Sequence, residues 1–222
     1  GGDGMVHAAI NNVKGNPIGL IPAGTGNDFA RALGLSLEDP IGNIRRVLLA
    51  DVEEVDLGKI GDEYFAAICS TGFDSVVNER ANKLKWPTGK MKYNIAMLLE
   101  LPRFKPRSYE IVIDGKKMQT QAMLIAIANG LSYGGGMKVC PAADIQDGLL
   151  DIMILAPVPK LEFIRIFPSV FKGLHVTHPA VSILQGRSIQ IKADAVAYAD
   201  GERIGELPLD VSISHNQLKV LR

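Results

Sequence analysis

Two glycine-rich loops are the first places in this sequence where chemistry could be done. Gly1-Gly2-Asp3-Gly4 leads into a helical pattern, and about twenty residues on Ile21-Pro22-Ala23-Gly24-Thr25-Gly26-Asn27-Asp28-Phe29-Ala30-Arg31 passes from an apolar stretch through two glycines into another. Glycine lets a backbone approach a ligand closely and take φ > 0. A helix start behind such a loop offers unspent N–H groups to an anion such as a phosphate. Thr25 and Asn27 add neutral polar groups at the same height. The first loop alone reads equally well as a tight turn. The second is more specific, because a capping turn needs one polar residue and not two flanked by glycines.

Two acidic motifs follow. Asp144-Ile145-Gln146-Asp147-Gly148-Leu149-Leu150-Asp151 sets carboxylates around an Asp-Gly turn. Such a turn can hold a hard cation through carboxylate and carbonyl oxygens, although a solvated turn is the plainer reading and the EF-hand spacing is missing. Asp200-Gly201-Glu202, taken alone, reads as a hairpin turn with a solvated glutamate. His175 and His178 stand three apart with no Cys or carboxylate nearby to complete a zinc site.

The elements that must position these groups change character along the chain. The first fifty residues alternate helix and strand signals: helix over 5–13, buried strand over 18–22, a helix over 25–33 capped near Thr25, and a helix over 39–50 with Ile41, Ile44, Val47 and Leu48 on one face. Strand patterns dominate afterwards, at 52–60, 63–70, 107–114, 118–128, 149–156, 180–185, 188–193, 195–199 and 207–214. Asp114-Gly115 and Asp200-Gly201 are suited to hairpin turns. Helical periodicity interrupts at 74–84, 89–101 and 160–173; the last carries Phe163, Ile164, Phe167, Val170 and Phe171 with Pro168 inside it. That face reads as packed on the β domain, or alternatively as a gate kinked at Pro168. The expectation is an α/β portion over 1–53 followed by a mostly antiparallel β domain over 54–222.

Composition bounds the function. The 222 residues are 47% hydrophobic and 22% charged, and 24 basic residues balance 24 acidic ones. Such a chain buries a core without staples, and zero net charge argues against a dedicated nucleic-acid binder. Two cysteines, Cys69 and Cys140, make no disulfide framework, so a reducing, cytoplasmic compartment is expected. The longest apolar run, 122–128, is far too short to span a membrane. Charge is nevertheless uneven. Residues 83–107 carry Lys83, Lys85, Lys90, Lys92, Arg103, Lys105 and Arg107 against Glu100 alone, with the sole tryptophan, Trp86, among them. A solvated basic face is the plain reading; a docking surface for an anionic leaflet is the sharper one.

The order and spacing of GGDG, PAGTGNDFAR, Val55-Asp56-Leu57-Gly58, Thr71-Gly72-Phe73-Asp74, Asn129-Gly130, Gly134-Gly135-Gly136, Pro141, Asp147-Gly148-Leu149-Leu150-Asp151 and Asp200-Gly201-Glu202 resemble the catalytic domain of the diacylglycerol kinase family. The resemblance covers nearly the whole chain. It implies an NAD kinase- and phosphofructokinase-like α/β nucleotide-binding domain followed by a β-sandwich, with ATP in the cleft between them. It also implies a further segment before GGDG, holding a first strand and a phosphate-contacting loop, so that the present chain is expected to be N-terminally shortened and a poor ATP binder by itself.

By that resemblance the chain moves the γ-phosphoryl group of ATP to a hydroxyl of diacylglycerol or a related lipid. Gly1, Gly2, Asp3, Gly4, Gly24, Thr25, Gly26, Asn27 and Asp28 would contact nucleotide. Glu202 would be the first candidate for proton acceptor and Asp3 the second. A structural Mg2+ would sit on Asp147 and the carbonyls of Asp144 and Leu149, linked through water to Asp56. The expected partners are a lipid substrate and the inner face of a membrane, where the protein would sit peripherally, and an exposed strand edge is the place for a homodimer contact. The family usually reads GGDGT followed by Asn-Glu, whereas this chain has Met5, His7 and Ala8 at those places. The departures favour a rival reading, a degenerate member that binds lipid or nucleotide without turnover. NAD kinase, which shares GGDG, is a second rival, opposed by the PAGTGNDFAR, DGLLD and DGE motifs.

Overall fold

Alternating apolar and polar residues build most of this molecule, and glycine or Asp-Gly turns divide them. The computed structural model describes residues 1–86 and 90–222; residues 87–89 of the basic stretch lie outside the described residues. The chain begins with helix α1 (Asp3–Ile10), a short strand β1 (Ile18–Gly19), and helices α2 (Asp28–Ala32) and α3 (Pro40–Leu49). Strands β2 (Val52–Ile60), β3 (Glu63–Phe65) and β4 (Ile68–Gly72) lead to helices α4 (Phe73–Lys83) and α5 (Lys90–Glu100). Then come β5 (Arg107–Ile113), β6 (Lys116–Ala122), β7 (Leu124–Ala128) and β8 (Leu150–Leu155), followed by helix α6 (Lys160–Ile166). The chain finishes with β9 (Val181–Gly186), β10 (Ser188–Lys192), β11 (Val196–Ala199), β12 (Glu202–Glu206) and β13 (Leu209–Leu221).

Two sheets pack face to face. One has the order β3-β2-β13-β10-β5-β6, with β1 added parallel to the end of β13; the other runs β12-β11-β4-β7-β8-β9. Every second residue points inward, so Phe65, Ile111, Ile189 and Val211 of the first sheet meet Ile125, Ile127, Ile152 and Ala197 of the second. Burying each such Ile or Phe contributes about 1.5–3 kcal/mol against the entropy of ordering the chain. β7 is buried on both faces, which is why its sequence reads as an unbroken apolar run rather than an alternation. Its outer face and that of β8 are covered by α4, α5 and α6, where Phe73 meets Phe104 and Phe163 edge-on with ring centroids 5.1 Å apart in each pair. α1 and α2 form a third cluster with Val55 and Leu57 of β2 and Leu218 and Val220 of β13. The expected domain boundary at 53/54 therefore falls inside β2, and no linker separates the α/β portion from the sandwich.

Several boundaries differ from the sequence expectation for identifiable reasons. The expected strand 63–70 is two strands, because the chain leaves the first sheet after Phe65 and enters the second at Ile68. The expected strand 118–128 divides at Met123 for the same reason. α2 starts at Asp28 and not at Thr25, because Asn27 takes a left-handed φ of 57° that no helix continues. α6 gives way to a 3₁₀ segment, Phe167–Lys172, where Pro168 cannot donate an N–H. On α3 the apolar face is exposed, with Leu48 at 77% and Ile41 at 63%, and the buried residue is Asn43. The β6 edge carries exposed Lys116 and Lys117, which blunt it against edge-to-edge pairing. Among the described residues no helix is long and apolar enough to cross a membrane.

Candidate active site

The two glycine loops touch. A Cβ placed on Gly24 would lie 2.5 Å from the Cα of Gly2, and one on Gly2 would lie 2.9 Å from the Cα of Gly24. No other residue type permits that approach. The Ala23 N–H donates to the Gly1 carbonyl across the same junction at 3.1 Å. Asp3 opens α1, and its Oδ1 accepts the Asp28 N–H at 2.7 Å, so the two helix starts share one carboxylate. Burial, and then the charge of Asp28, push the Asp3 carboxyl above its ordinary range.

The polar residues of the second loop divide by role. Asn27 folds back on Gly24, accepting its N–H at 2.8 Å and donating to its carbonyl at 2.7 Å. Asp28 is buried and accepts from the Ser132 hydroxyl and the Gly135 and Gly136 N–H groups. Both are expected nucleotide contacts; here their side chains shape the loops, and Asp28 also lines the cavity that opens beside them. Thr25 remains exposed and lines the cavity that opens here.

That cavity has a volume of about 420 Å³. Its polar mouth is made by Asp3, Thr25, Gly26, Gly135, Asp200 and Gly201, and its far lobe by apolar side chains including Met97, Met153, Phe163, Phe167 and Phe171. The half-buried Asp74 carboxylate also lines the cavity; it accepts from Ser70 Oγ at 2.5 Å and Asn78 Nδ2 at 3.2 Å, and desolvation pushes its carboxyl up. Sequence reasoning passed over this polar ledge, since Asp74 appears there only as the last letter of a motif. Glu202 is exposed at the end of the β11–β12 turn and is not among the lining residues, whereas Asp3 is. Of the two expected proton acceptors, the structure thus places Asp3 at the cavity and Glu202 outside its lining.

The 144–149 loop lies elsewhere, closed by protein donors. The fully buried Asp56 carboxylate accepts the Gly148 N–H at 2.8 Å and the Asn216 N–H at 2.7 Å, and His215 Nδ1 stands 2.7 Å from its Oδ1. Asp147 Oδ1 is turned onto the Leu149 N–H at 2.9 Å, and Asp144 Oδ1 onto the Gln146 N–H at 3.0 Å. Among the described residues no group of three His, Cys, Asp or Glu side chains is placed to hold a metal ion. Among the described residues no protein donor meets Asp147 Oδ2, which leaves that oxygen for the Mg2+ that the resemblance implies. One outcome follows. Asp56→Ala should destabilise by about 3 kcal/mol, since it orphans buried donors; urea unfolding measures it.

With this geometry in place, comparison with known proteins is decisive. The family model described as the diacylglycerol kinase catalytic domain matches residues 1–60, and the YegS C-terminal NAD kinase beta sandwich-like domain matches residues 67–222. A Mycobacterium tuberculosis protein named diacylglycerol kinase is 41% identical over the whole of this chain and 75% of its own length. The chain belongs to the diacylglycerol kinase family. It is thereby a member of a lipid kinase family, and its chemistry is that of a phosphotransferase. A Bacillus subtilis diacylglycerol kinase is 31% identical over 94% of this chain and 71% of its own length. A Bacillus anthracis crystal structure described as a diacylglycerol kinase shares the fold at TM-score 0.73 and 19% identity, covering 100% of this chain and 74% of its own. A second structure from that organism superposes at TM-score 0.80 with 23% identity, again over the whole chain and 74% of its own. The family fold, an α/β nucleotide-binding portion leading into a β-sandwich, is the one observed.

Proposed function

We propose that this protein transfers the γ-phosphoryl group of ATP to a hydroxyl of diacylglycerol or a closely related lipid. One observation carries the reading: a single cavity joins a glycine-walled, carboxylate-bearing mouth to an apolar lobe. A phosphate-only pocket would not need Phe163, Phe167 and Phe171, and a lipid-only pocket would not need Asp3 and Thr25.

In this reading the backbone of the Gly2 and Gly24 loops and the Thr25 hydroxyl hold the triphosphate, and ATP, carrying its own Mg2+, supplies the phosphoryl group. Asp3 takes the proton of the lipid hydroxyl. Its raised affinity for protons suits that task better than an ordinary surface aspartate. Asn27 and Asp28 keep the loops in register, and the remaining demand is positioning. Asp74 and Asn78 offer polar contacts to the lipid head at the edge of the apolar lobe.

Access supports a membrane as the second partner. Tyr93 and Phe171 line the apolar lobe and are about half exposed, so the lobe opens between α5 and the segment after α6. Leu98 on α5, Leu161 on α6 and Leu174 after it are exposed, as are Lys83, Lys85, Arg103 and Lys105 before and after α5, with Trp86 at 80%. Such a surface suits peripheral docking on an anionic inner leaflet. Replacing Lys83 and Lys85 together with Gln should weaken binding to phosphatidylserine-containing vesicles roughly 30-fold, about 1 kcal/mol for each charge. Salt-independent binding in a vesicle sedimentation assay would contradict it.

The function itself is tested with labelled ATP and the whole protein against a panel of diacylglycerol, monoacylglycerol, ceramide, sphingosine and NAD. Label entering a glycerolipid is the expected result. Label entering only NAD, or no acceptor at all, would sink the proposal.

A further inference from the structure

His7 stands where the sequence comparison marks a departure, and the structure places it behind the catalytic mouth. It lies one helical turn after Asp3 on α1, so both side chains leave the same face of the helix. The ring is almost buried, with 11% of the side chain exposed. Nε2 is 2.8 Å from Glu63 Oε1 on β3, and Nδ1 is 3.6 Å from Asp200 Oδ2 in the β11–β12 turn. Asp200 is itself a junction. Its carboxylate accepts the Ala66, Ala67 and Ile68 N–H groups at 2.7, 2.9 and 3.3 Å, where the chain crosses from one sheet to the other. Its backbone is left-handed at φ 50°, and together with Gly201 it lines the same cavity as Asp3.

We propose that His7 is a positioning residue that ties the helix bearing Asp3 to the Asp200–Glu202 turn and so fixes the width of the phosphoryl-transfer mouth. The inference rests on the lipid kinase reading above and deepens it. The usual asparagine of the family could donate at this place; the imidazole reaches two carboxylates on two elements at once. The Asp200 carboxylate beside the ring, with the hydrogen bond to Glu63, outweighs burial and raises the ring from 6.5 to about 9. The charged groups facing it are Asp200 from the β11–β12 turn and Glu63 from β3; Asp3 shares its helix one turn earlier. Asp28 and Arg31 of α2 turn instead to the 134–136 loop. The sign follows. The ring is charged below about 9, so its contribution to folding is complete below its ordinary value of 6.5 and is lost as pH rises through about 9.

The experiment has two arms. In the first, the C2–H resonance of His7 is followed by NMR from pH 6 to 10, with amide exchange at Ala66–Ile68; no turnover is needed. The ring should titrate near 9, and His7→Ala should speed exchange at those amides. In the second, turnover of the whole protein is measured over the same range. His7→Ala should lower kcat on the order of 10- to 100-fold, with both KM values within about threefold, and should abolish an alkaline limb near pH 9. His7→Asn, which keeps a donor, should recover most of kcat without restoring the limb, and it decides the matter if the alanine variant does not fold. A ring titrating near 6.5 would overturn the proposal. So would a wild-type kcat and an unchanged limb in His7→Ala. A whole protein that phosphorylates no lipid would fail the functional reading instead, and the first arm would still decide whether His7 clamps the turn.

Discussion

Asp3→Asn is expected to lower kcat by roughly 10²–10⁴-fold, the range for loss of a positioned base. The amide keeps an oxygen to accept the Asp28 N–H, so the junction of the two helix starts should survive. It cannot take the proton of an attacking hydroxyl. Stability should move the other way. Asp3 is pushed up by burial and by Asp28, so its ionised form opposes folding at neutral pH, and that penalty fades as pH falls and the group protonates. Asp3→Asn should therefore melt at or slightly above the wild-type temperature at pH 7, which separates lost chemistry from lost structure. Glu202→Gln, exposed and off the cavity lining, should cost less in kcat. The reverse order of the two variants would return the proton to Glu202.

The second large effect is expected at Gly24. Alanine there would put a Cβ 2.5 Å from the Gly2 Cα and 2.9 Å from Asn27 Oδ1. Neither is the movable end of a long side chain, so the loops must part and the Asn27 clasp on Gly24 must open. Misplacement of this size costs on the order of 10²-fold in rate. The fall should lie in kcat/KM for ATP, with KM for lipid nearly unchanged because the apolar lobe is formed by other elements. An equal loss for both substrates would show that the substitution had disturbed the whole cavity and not the phosphate loops.

The glycine loops and the Asp-Gly turns were legible in the sequence because only one residue type solves the local problem. Two backbones in contact demand glycine at Gly2 and Gly24, and Asp-Gly at 114–115 and 200–201 answers a left-handed turn. The illegible parts depend on partners distant along the chain. Nothing near Asp28 announces that Ser132 and the 135–136 amides will claim its carboxylate. Nothing near Asp56 announces His215 or Asn216. Periodicity also cannot see a change of sheet, so the strands crossing at Ala66–Ala67 and at Met123 looked continuous. On α3 the apolar stripe follows the helical period, yet Ile41, Ile44 and Leu48 face outward and only Val47 packs inward, against Gly19, a reminder that periodicity gives a face and not its partner.

The claim on which the rest depends is that one cavity receives both the phosphates and the acyl chains. The most direct measurement is photo-crosslinking of the whole protein with a diacylglycerol carrying a photoreactive acyl chain, with a non-hydrolysable ATP analogue bound, and mapping of the adducts by mass spectrometry. Adducts on Phe163, Phe167, Met97 and their neighbours, competed by unlabelled diacylglycerol, are the predicted result. Competed adducts confined to other surfaces, with none on the apolar lobe, would contradict the account.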